Sequence, residues 1–138
     1  MIGKLFSGAA IVVLQKGLDA TSLRQQVISE NIANINTPGY KKREVLFEGE
    51  LKRALDKKYD SGMRQTDARH FPGGRSLAGV GARVDVLNAT SMREDGNNVD
   101  VDEEMTNLAE NNIRFNTMAQ LIAGRFTGLK NVINEGRR

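Results

Sequence analysis

The sequence of 138 residues contains no cysteine and no tryptophan, one histidine and two prolines. Without cysteine the chain has no disulfide, no thiolate nucleophile and no cysteine-based metal site, and a single histidine excludes a multi-histidine metal site. Aromatic residues make up only 5% of the chain, too few for a well-packed barrel or sandwich. These absences predict a protein that is not an enzyme and that binds no metal or cofactor.

Charge and hydropathy argue against two further classes, nucleic-acid-binding proteins and proteins with a signal peptide or a membrane span. Lys and Arg number 20 against 17 Asp and Glu, and the basic residues are scattered, so nothing demands a nucleic-acid partner. The apolar run from Leu5 to Leu14 follows Lys4 as in a secretory signal peptide, but Ser7 and Gly8 interrupt it and no clear cleavage site follows. The run is also shorter than the ~20 residues that span a bilayer. We expect a soluble protein.

A heptad pattern predicts a first helix from about Ala10 to Ile35. Its apolar residues alternate in steps of three and four, as in a coiled coil, with Thr21 and Gln25 in two of the slots. We call this set the N-terminal seam: Ile11, Leu14, Leu18, Ile28, Ile32 and Ile35. Thr37-Pro38-Gly39 ends the helix, because proline disfavours helix in the preceding residue and glycine supports a turn.

The same alternation predicts a C-terminal helix. Its C-terminal seam consists of Met105, Leu108, Phe115, Ala119, Ile122, Phe126, Leu129 and Ile133, with Asn112 in one polar slot. Asp100 is positioned to cap the helix, with Glu103 as its reciprocal partner in a capping box. Gly136 and the two arginines after it mark the end.

The pattern divides the chain into residues 1–43, 44–98 and 99–138. The middle segment carries scattered glycines and charges without sustained periodicity, which is typical of a flexible or partly β insertion. Within it, Arg83 to Leu87 predicts a short strand and Leu46 to Leu55 a short amphipathic helix. The expected fold is therefore mainly α, with two long terminal helices that pair as an antiparallel coiled coil.

Extra apolar residues indicate that this pair is not the whole assembly. Leu23 and Val27 lie off the first seam, and Ile113 and Leu121 lie off the second. A two-helix hairpin buries little surface, so we expect neighbouring subunits to cover these positions. A monomeric bundle in which they form the core is the alternative. Asn112 is either a solvated edge residue or a buried residue that sets helix register.

The motif around the first break resembles flagellar rod, hook and hook-associated axial proteins. Its residues are Asn31, Ala33, Asn34, Thr37, Pro38, Gly39 and Tyr40. The C-terminal part of the sequence resembles the proximal rod branch of these proteins in particular. This resemblance rests on residues 96–100, 104–105, 108–111 and 128–130. The alternatives are another small rod protein, FlgC, a non-flagellar coiled-coil adaptor, and a nucleic-acid-binding helical protein.

The resemblance implies a structural subunit that stacks into a helical tube, transmits torque and surrounds an export channel. The implied partners are further copies of the chain, the rod proteins FlgC, FlgF and FlgG, the adaptor FliE, the basal ring and, in transit, the flagellar export apparatus. The implied location is the periplasmic rod, reached without a cleaved signal. Phe47 and Leu51 match a short export-gate recognition element, although any short helix shows two apolar residues four apart.

Other polar residues predict no chemistry. His70 lies in a loop without a nucleophile nearby, so a catalytic pair with Asp67 is not expected. The acidic run from Asp95 to Glu104 fails as a calcium loop, because Asp100 stands where that loop needs glycine. The basic residues 41–43 are expected to be solvated or to pair with the acids at 102–104 of a neighbouring subunit.

Overall fold

The computed structural model describes residues 9–56, 77–88 and 93–135, and these residues are mainly helical. The elements, in order, are helix α1 (Ala9–Ala33), strand β1 (Arg43–Leu46), helix α2 (Glu48–Leu55), a 3₁₀ turn (Leu77–Gly79), strand β2 (Arg83–Val86) and helix α3 (Val101–Glu135). The predicted fold class, two long terminal helices with a small β element between them, is confirmed.

Helices α1 and α3 pack against each other in antiparallel orientation. Asn31 contacts Glu104 at one end of the pair, and Thr21 contacts Asn111 further along. Beyond that, a methyl group on Gly17 would lie 2.6 Å from the sulfur of Met118. At 1.5 Å per residue α3 is about 52 Å long and α1 about 37 Å. The last turns of α3 therefore extend past Ala9, where the described part of α1 begins.

Local chemistry explains the helix ends. At the start of α3 the Asp100 Oδ1 accepts the backbone N–H of Asp102 at 2.9 Å, so the predicted cap is confirmed. The predicted capping box is wrong, because the Glu103 carboxylate lies 2.7 Å from Lys42 Nζ instead. Helix α1 ends at Ala33, two residues before the expected end. The predicted stop at 136–138 lies outside the described residues.

The middle of the chain adds a two-stranded antiparallel sheet. Strand β1 pairs with β2 so that Val45 lies opposite Val84. The expected strand at 83–87 is confirmed, and so is the short helix, which begins at Glu48. Strand β1 was not predicted: Leu46 was expected to begin the helix and instead ends a strand. His70 lies outside the described residues.

A small apolar core lies where this sheet and α2 meet α1. Phe47 packs with Ala20 and Val80, and Leu51 and Ala54 cover the cluster. Further buried apolar side chains in the described part of the chain are Val27, Ile28, Val45 and Val99. Polar side chains also make contacts between α1 and α3, among them those of Asn31, Glu104 and Asn111.

Candidate functional site

A buried polar junction connects the end of α1 with the start of α3. We define it by Asn31, Lys42, Asn97 and Glu104, all of which are buried. Asn31 holds the chain on both sides: its Oδ1 accepts the Arg43 N–H at 3.0 Å, and its Nδ2 donates to the Arg43 carbonyl at 2.9 Å. Nδ2 also donates to Glu104 Oε2 at 3.0 Å. One amide thus joins α1, β1 and α3.

Asn97 closes the turn that follows α1. Its Nδ2 lies 2.9–3.0 Å from the backbone carbonyls of Asn34, Ile35 and Thr37. Its Oδ1 accepts the Val99 N–H at 2.8 Å. Carbonyls at the end of a helix have no partner within the helix, and the amide from the segment before α3 supplies one.

Two glycines allow these segments to approach. Gly39 and Gly96 have φ angles of +73° and +76°, in the left-handed region that favours glycine. The Gly39 N–H donates to the Asp95 carbonyl at 2.8 Å, and Lys41 Nζ donates to the Gly96 carbonyl at 2.7 Å. The turn motif therefore serves as the docking surface for the segment that leads into α3.

Lys42 places a positive charge at the centre of the junction. Its Nζ lies 2.7 Å from Glu103 Oε1 and 2.9 Å from Glu104 Oε1. Burial lowers the pKa of Lys42, but the hydrogen bonds and charges of Glu103 and Glu104 raise it more, so the pKa lies above its ordinary value. The expectation that these acids pair with a neighbouring subunit's basic residues is corrected: Lys42 of the same chain pairs with them.

The rest of the turn motif surrounds this junction. Tyr40 is half-buried, and its hydroxyl donates to Asn31 Oδ1 at 3.3 Å. Asn34 is also half-buried, and its Nδ2 donates to the Glu30 carbonyl at 2.8 Å. The motif members that remain exposed are Ala33, Thr37, Pro38 and Gly39.

The N-terminal seam faces α3 only in part. Ile28 is buried, whereas Ile11, Leu14, Leu18, Ile32 and Ile35 are half-buried. The most buried face of α1 is rotated by about one residue and consists of Gly17, Ala20, Thr21, Val27, Ile28 and Asn31. Two of these side chains are polar and two have little bulk, so a pattern based on large apolar residues does not single them out.

The C-terminal seam is largely uncovered within one chain. Leu108, Ala119, Ile122 and Leu129 are half-buried, whereas Met105, Phe115, Phe126 and Ile133 are exposed. The buried asparagine of α3 is Asn111, whose Nδ2 donates to the Thr21 carbonyl at 2.9 Å and to Gln25 Oε1 at 3.0 Å. Asn112 is exposed, which corresponds to the solvated alternative of the sequence interpretation.

An ion-pair cluster joins the three helices beside the junction. Glu48 at the start of α2 binds Arg24 of α1 at 2.8 Å and Arg114 of α3 at 3.3 Å. Burial raises the pKa of Glu48, but its own backbone N–H and the two arginines lower it more, so the pKa lies below its ordinary value. The cluster borders a cleft of about 440 Å³ between the helices and β1.

The residues of the proposed export element form part of the core. Phe47 is only 6% exposed, and Leu51 is half-buried against the same cluster. An unfolded chain would expose both side chains, whereas the folded chain covers Phe47.

The described residues contain no cluster of His, Asp and Glu side chains suited to a metal ion. Among the helices described, none is both long enough and apolar enough to cross a membrane. The charged groups of the junction are engaged with one another, so their arrangement favours holding two helices in register.

Comparison with known proteins identifies the relatives of this fold. Residues 11–41, which form most of α1 and the turn, match the family model described as "Flagella basal body rod protein". A FlgB flagellar basal body rod protein from Bacillus subtilis (strain 168) is 38% identical over 135 residues, which cover 96% of this chain and 98% of that protein. FlgB proteins from Yersinia enterocolitica and Escherichia coli (strain K12) are 33% and 31% identical, over 99% of this chain in each case.

Proposed function

Because this chain belongs to the FlgB family of flagellar basal body rod proteins, we propose that its exposed C-terminal seam is the surface by which it packs into the rod. The chain is a structural, non-enzymatic component of the basal body rod, and it assembles with other rod proteins. Its resemblance to the FlgB branch rather than to FlgC is likewise confirmed by full-length relatives.

One observation carries the proposal. Phe126 and Ile133 continue the stripe of α3 that faces α1, yet they are 53% and 62% exposed. A helix with an apolar stripe is stable in water only when another surface covers the stripe. The terminal helices of neighbouring subunits supply such a surface, and contacts that repeat without closing build a tube.

The junction gives the pair the stiffness that the proposed role requires. Asn31, Asn97 and Glu104 are almost fully buried, and their bonds couple the end of α1 to the start of α3. Buried polar networks in which the partners are satisfied favour one arrangement over others. We infer that the pair is held rigid, transmits torque and forms a wall around an export channel.

The proposed partners are the rod proteins FlgC, FlgF and FlgG, the adaptor FliE and the basal ring, together with further copies of this chain. The proposed location is the periplasmic rod, which the chain reaches unfolded through the flagellar export apparatus and without a cleaved signal. In transit, Phe47 and Leu51 act as the gate-recognition element. Phe47 is buried in the folded chain, so this element is accessible only before folding.

The test replaces Phe126 and Ile133 by serine in a strain that lacks its own copy of the chain. Because both side chains are exposed in one chain, the purified variant should retain its helix content and its melting temperature. Motility and the amount of the chain in isolated basal bodies should both fall at least tenfold. The matched control replaces Asn112 and Asn116, two exposed polar residues of the same helix, by serine.

Normal motility of the Phe126→Ser/Ile133→Ser variant would contradict the proposal. A loss of about 2 kcal/mol or more in the stability of the purified chain would also contradict it, because that loss would mean that the stripe is covered within one chain.

A further inference from the structure

The segment that leads into α3 contains a chemically reactive pair, Asp95-Gly96. It is the one Asp-Gly pair of the sequence, which has no Asn-Gly pair. The backbone nitrogen of a glycine is unshielded because glycine has no side chain, so it can attack the side chain of the aspartate before it. Aspartate in this setting converts slowly to isoaspartate without any enzyme.

The conversion needs only water as a co-reactant. The Gly96 nitrogen bonds to Asp95 Cγ, the nitrogen loses its proton and the carboxyl loses its hydroxyl, so one water leaves and a succinimide ring closes. Water then opens the ring at either of its two carbonyls. One opening restores aspartate, and the other gives isoaspartate, in which the backbone runs through Cβ and Cγ.

The folded turn holds the attacking nitrogen in one orientation. The Gly96 N–H donates to the Arg93 carbonyl at 3.1 Å, which closes a tight turn over residues 93–96. Attack on Cγ requires this peptide to rotate and its nitrogen to release the proton. Both changes break the hydrogen bond, so the turn opposes the first step of the reaction.

The Asp95 carboxylate is held at both of its oxygens. Oδ2 accepts a hydrogen bond from the Arg93 guanidinium at 2.7 Å, and Oδ1 accepts one from Arg93 Nε at 3.2 Å. Oδ1 also accepts the Asn97 backbone N–H at 3.1 Å. The hydrogen bonds from Arg93 hold the pKa of the Asp95 carboxyl below its ordinary value, and an ionised carboxylate has no hydroxyl to release.

Contacts with the turn after α1 fix the backbone on both sides of the reactive bond. The Gly39 N–H donates to the Asp95 carbonyl at 2.8 Å, and Lys41 Nζ donates to the Gly96 carbonyl at 2.7 Å. Asn97, the next residue, is fully buried, and its side chain binds three backbone carbonyls of that turn. Reaction in the folded chain therefore requires local opening of the junction.

We propose that the Asp95–Gly96 bond is a site of spontaneous isomerisation in the unfolded chain, and that docking onto the turn after α1 protects it in the folded chain. Isoaspartate adds one carbon to the backbone and converts the Asp95 carbonyl into a side-chain carboxylate. The Gly39 N–H then loses its acceptor, and Asn97 is displaced from the turn. A chain modified before it folds lacks the contacts that join α1 to the start of α3.

The test incubates the purified full chain at pH 7, once folded and once in concentrated guanidinium chloride. Fragmentation mass spectrometry of the tryptic peptide from Glu94 to Arg114 measures isoaspartate at residue 95. We expect the denatured chain to accumulate isoaspartate about tenfold faster or more, because the folded chain reacts only while it is locally open. A synthetic peptide of residues 93–99 controls for the denaturant and should react equally fast in both solvents.

Two variants separate the hold on the carboxylate from the docking of the backbone. Arg93→Gln should raise the rate in the folded chain about threefold or more, and Asn97→Ala about tenfold or more, with the denatured rates unchanged. Arg125→Gln, the same substitution as the first at an exposed position of α3, is the matched control and should change neither rate. Because Arg93 is also exposed, Arg93→Gln should keep the melting temperature of the parent.

Equal rates in the folded and the denatured chain would overturn the protection. Absence of isoaspartate at residue 95 from both the denatured chain and the peptide would overturn the site itself. If Arg93→Gln and Asn97→Ala both react at the parent's folded rate, these contacts do not protect the bond. Each of these results leaves the packing into the rod intact, because the chemistry of this bond does not depend on the exposed C-terminal seam.

Discussion

Asn31 and Glu104, 73 residues apart in the chain, share a hydrogen bond of 3.0 Å between buried side chains. The amide of Asn31 also donates to the Arg43 carbonyl and accepts the Arg43 N–H. Asn31 is fully buried and Glu104 is 1% exposed. This pair fixes the angle and the register at which α1 meets α3, because moving either helix along the other breaks the bond.

Asn31→Asp tests this bond with almost no change in volume. At pH 7 the new carboxylate confronts the Glu104 carboxylate and the Arg43 carbonyl, where an amide donor had been. We expect the free energy of unfolding in urea to fall by about 3 kcal/mol. Asn112→Asp, an exposed position on α3, should change it by less than about 0.5 kcal/mol. Similar stability of the two variants would contradict the role assigned to Asn31.

Lys42 makes a pH-dependent contribution at the other side of Glu104. Burial lowers its pKa, but Glu103 and Glu104 raise it more, so the folded chain holds this proton more tightly than the unfolded chain does. The resulting stabilisation is fully present below the ordinary value of 10.5 and is lost as the pH rises above it. The Lys42 side chain is only 10% exposed, so solvent screens this pair weakly.

Lys42→Gln should therefore lower the free energy of unfolding by about 3 kcal/mol at pH 7, since it leaves Glu104 buried without its cation. The difference between the parent and the variant should stay constant up to about pH 10 and shrink above 10.5. Urea titrations at several pH values measure this difference in the free energy of unfolding. Lys130→Gln, at an exposed position, is the control. A difference that does not depend on pH would show that Lys42 acts by packing alone.

Glu48 should behave in the opposite sense. Burial raises its pKa, but its own backbone N–H, Arg24 and Arg114 lower it more, so the net pKa is below 4.5. Its contribution is present above 4.5 and is lost as the pH falls through the folded-state value. Because its side chain is 59% exposed, solvent screens the cluster.

Glu48→Gln should cost less than about 1 kcal/mol at pH 7, and the difference should shrink in 1 M salt and below pH 4.5. Thermal melts of the variant and of Glu44→Gln, an exposed residue on β1, supply the comparison. A cost above about 2 kcal/mol at high salt would mean that the cluster holds the three helices together more strongly than a screened ion pair does.

Heptad spacing and the residues that end helices were sufficient to predict both long helices. The rotation of the packed face of α1 by about one residue was not predictable in the same way. That face includes Asn31, which is polar, and Gly17, which has no side chain. A pattern of hydrophobic residues therefore does not include either of them. The contacts that select it, with Glu104 and Met118, come from residues far along the chain.

The role of Asn97 illustrates a second limit. Its amide binds backbone carbonyls of the turn. Every residue has a backbone carbonyl, so the residue types in the turn do not indicate that Asn97 binds there. The local signal was Gly96, whose left-handed backbone aims the next residue into the turn. The exposed surface of α3 was easier to predict, because Ile113 and Leu121 lie off the seam and must face elsewhere.

Gly17 permits the closest approach of α1 to α3. A methyl group there would lie 2.6 Å from Met118 Sδ, so Gly17→Ala forces the methionine to move. We expect a net loss of about 1 kcal/mol, because overpacking outweighs the gain in helix propensity. In a Met118→Ala background the same change should instead stabilise the chain by about 1 kcal/mol. A double-mutant cycle in urea measures this reversal, and the same sign in both backgrounds would contradict the close contact.

The export proposal requires Phe47 to act before the chain folds, since only 6% of it is exposed afterwards. Phe47→Ala and Leu51→Ala should each reduce secretion of the chain into the medium by cells that cannot assemble the hook. Val45→Ala provides the control: Val45 is 3% exposed in the neighbouring strand, so its truncation destabilises the fold without touching the element. Equal secretion of all three variants would contradict the export role of Phe47 and Leu51. Reduced secretion of Val45→Ala would show that the loss comes from the destabilised fold instead.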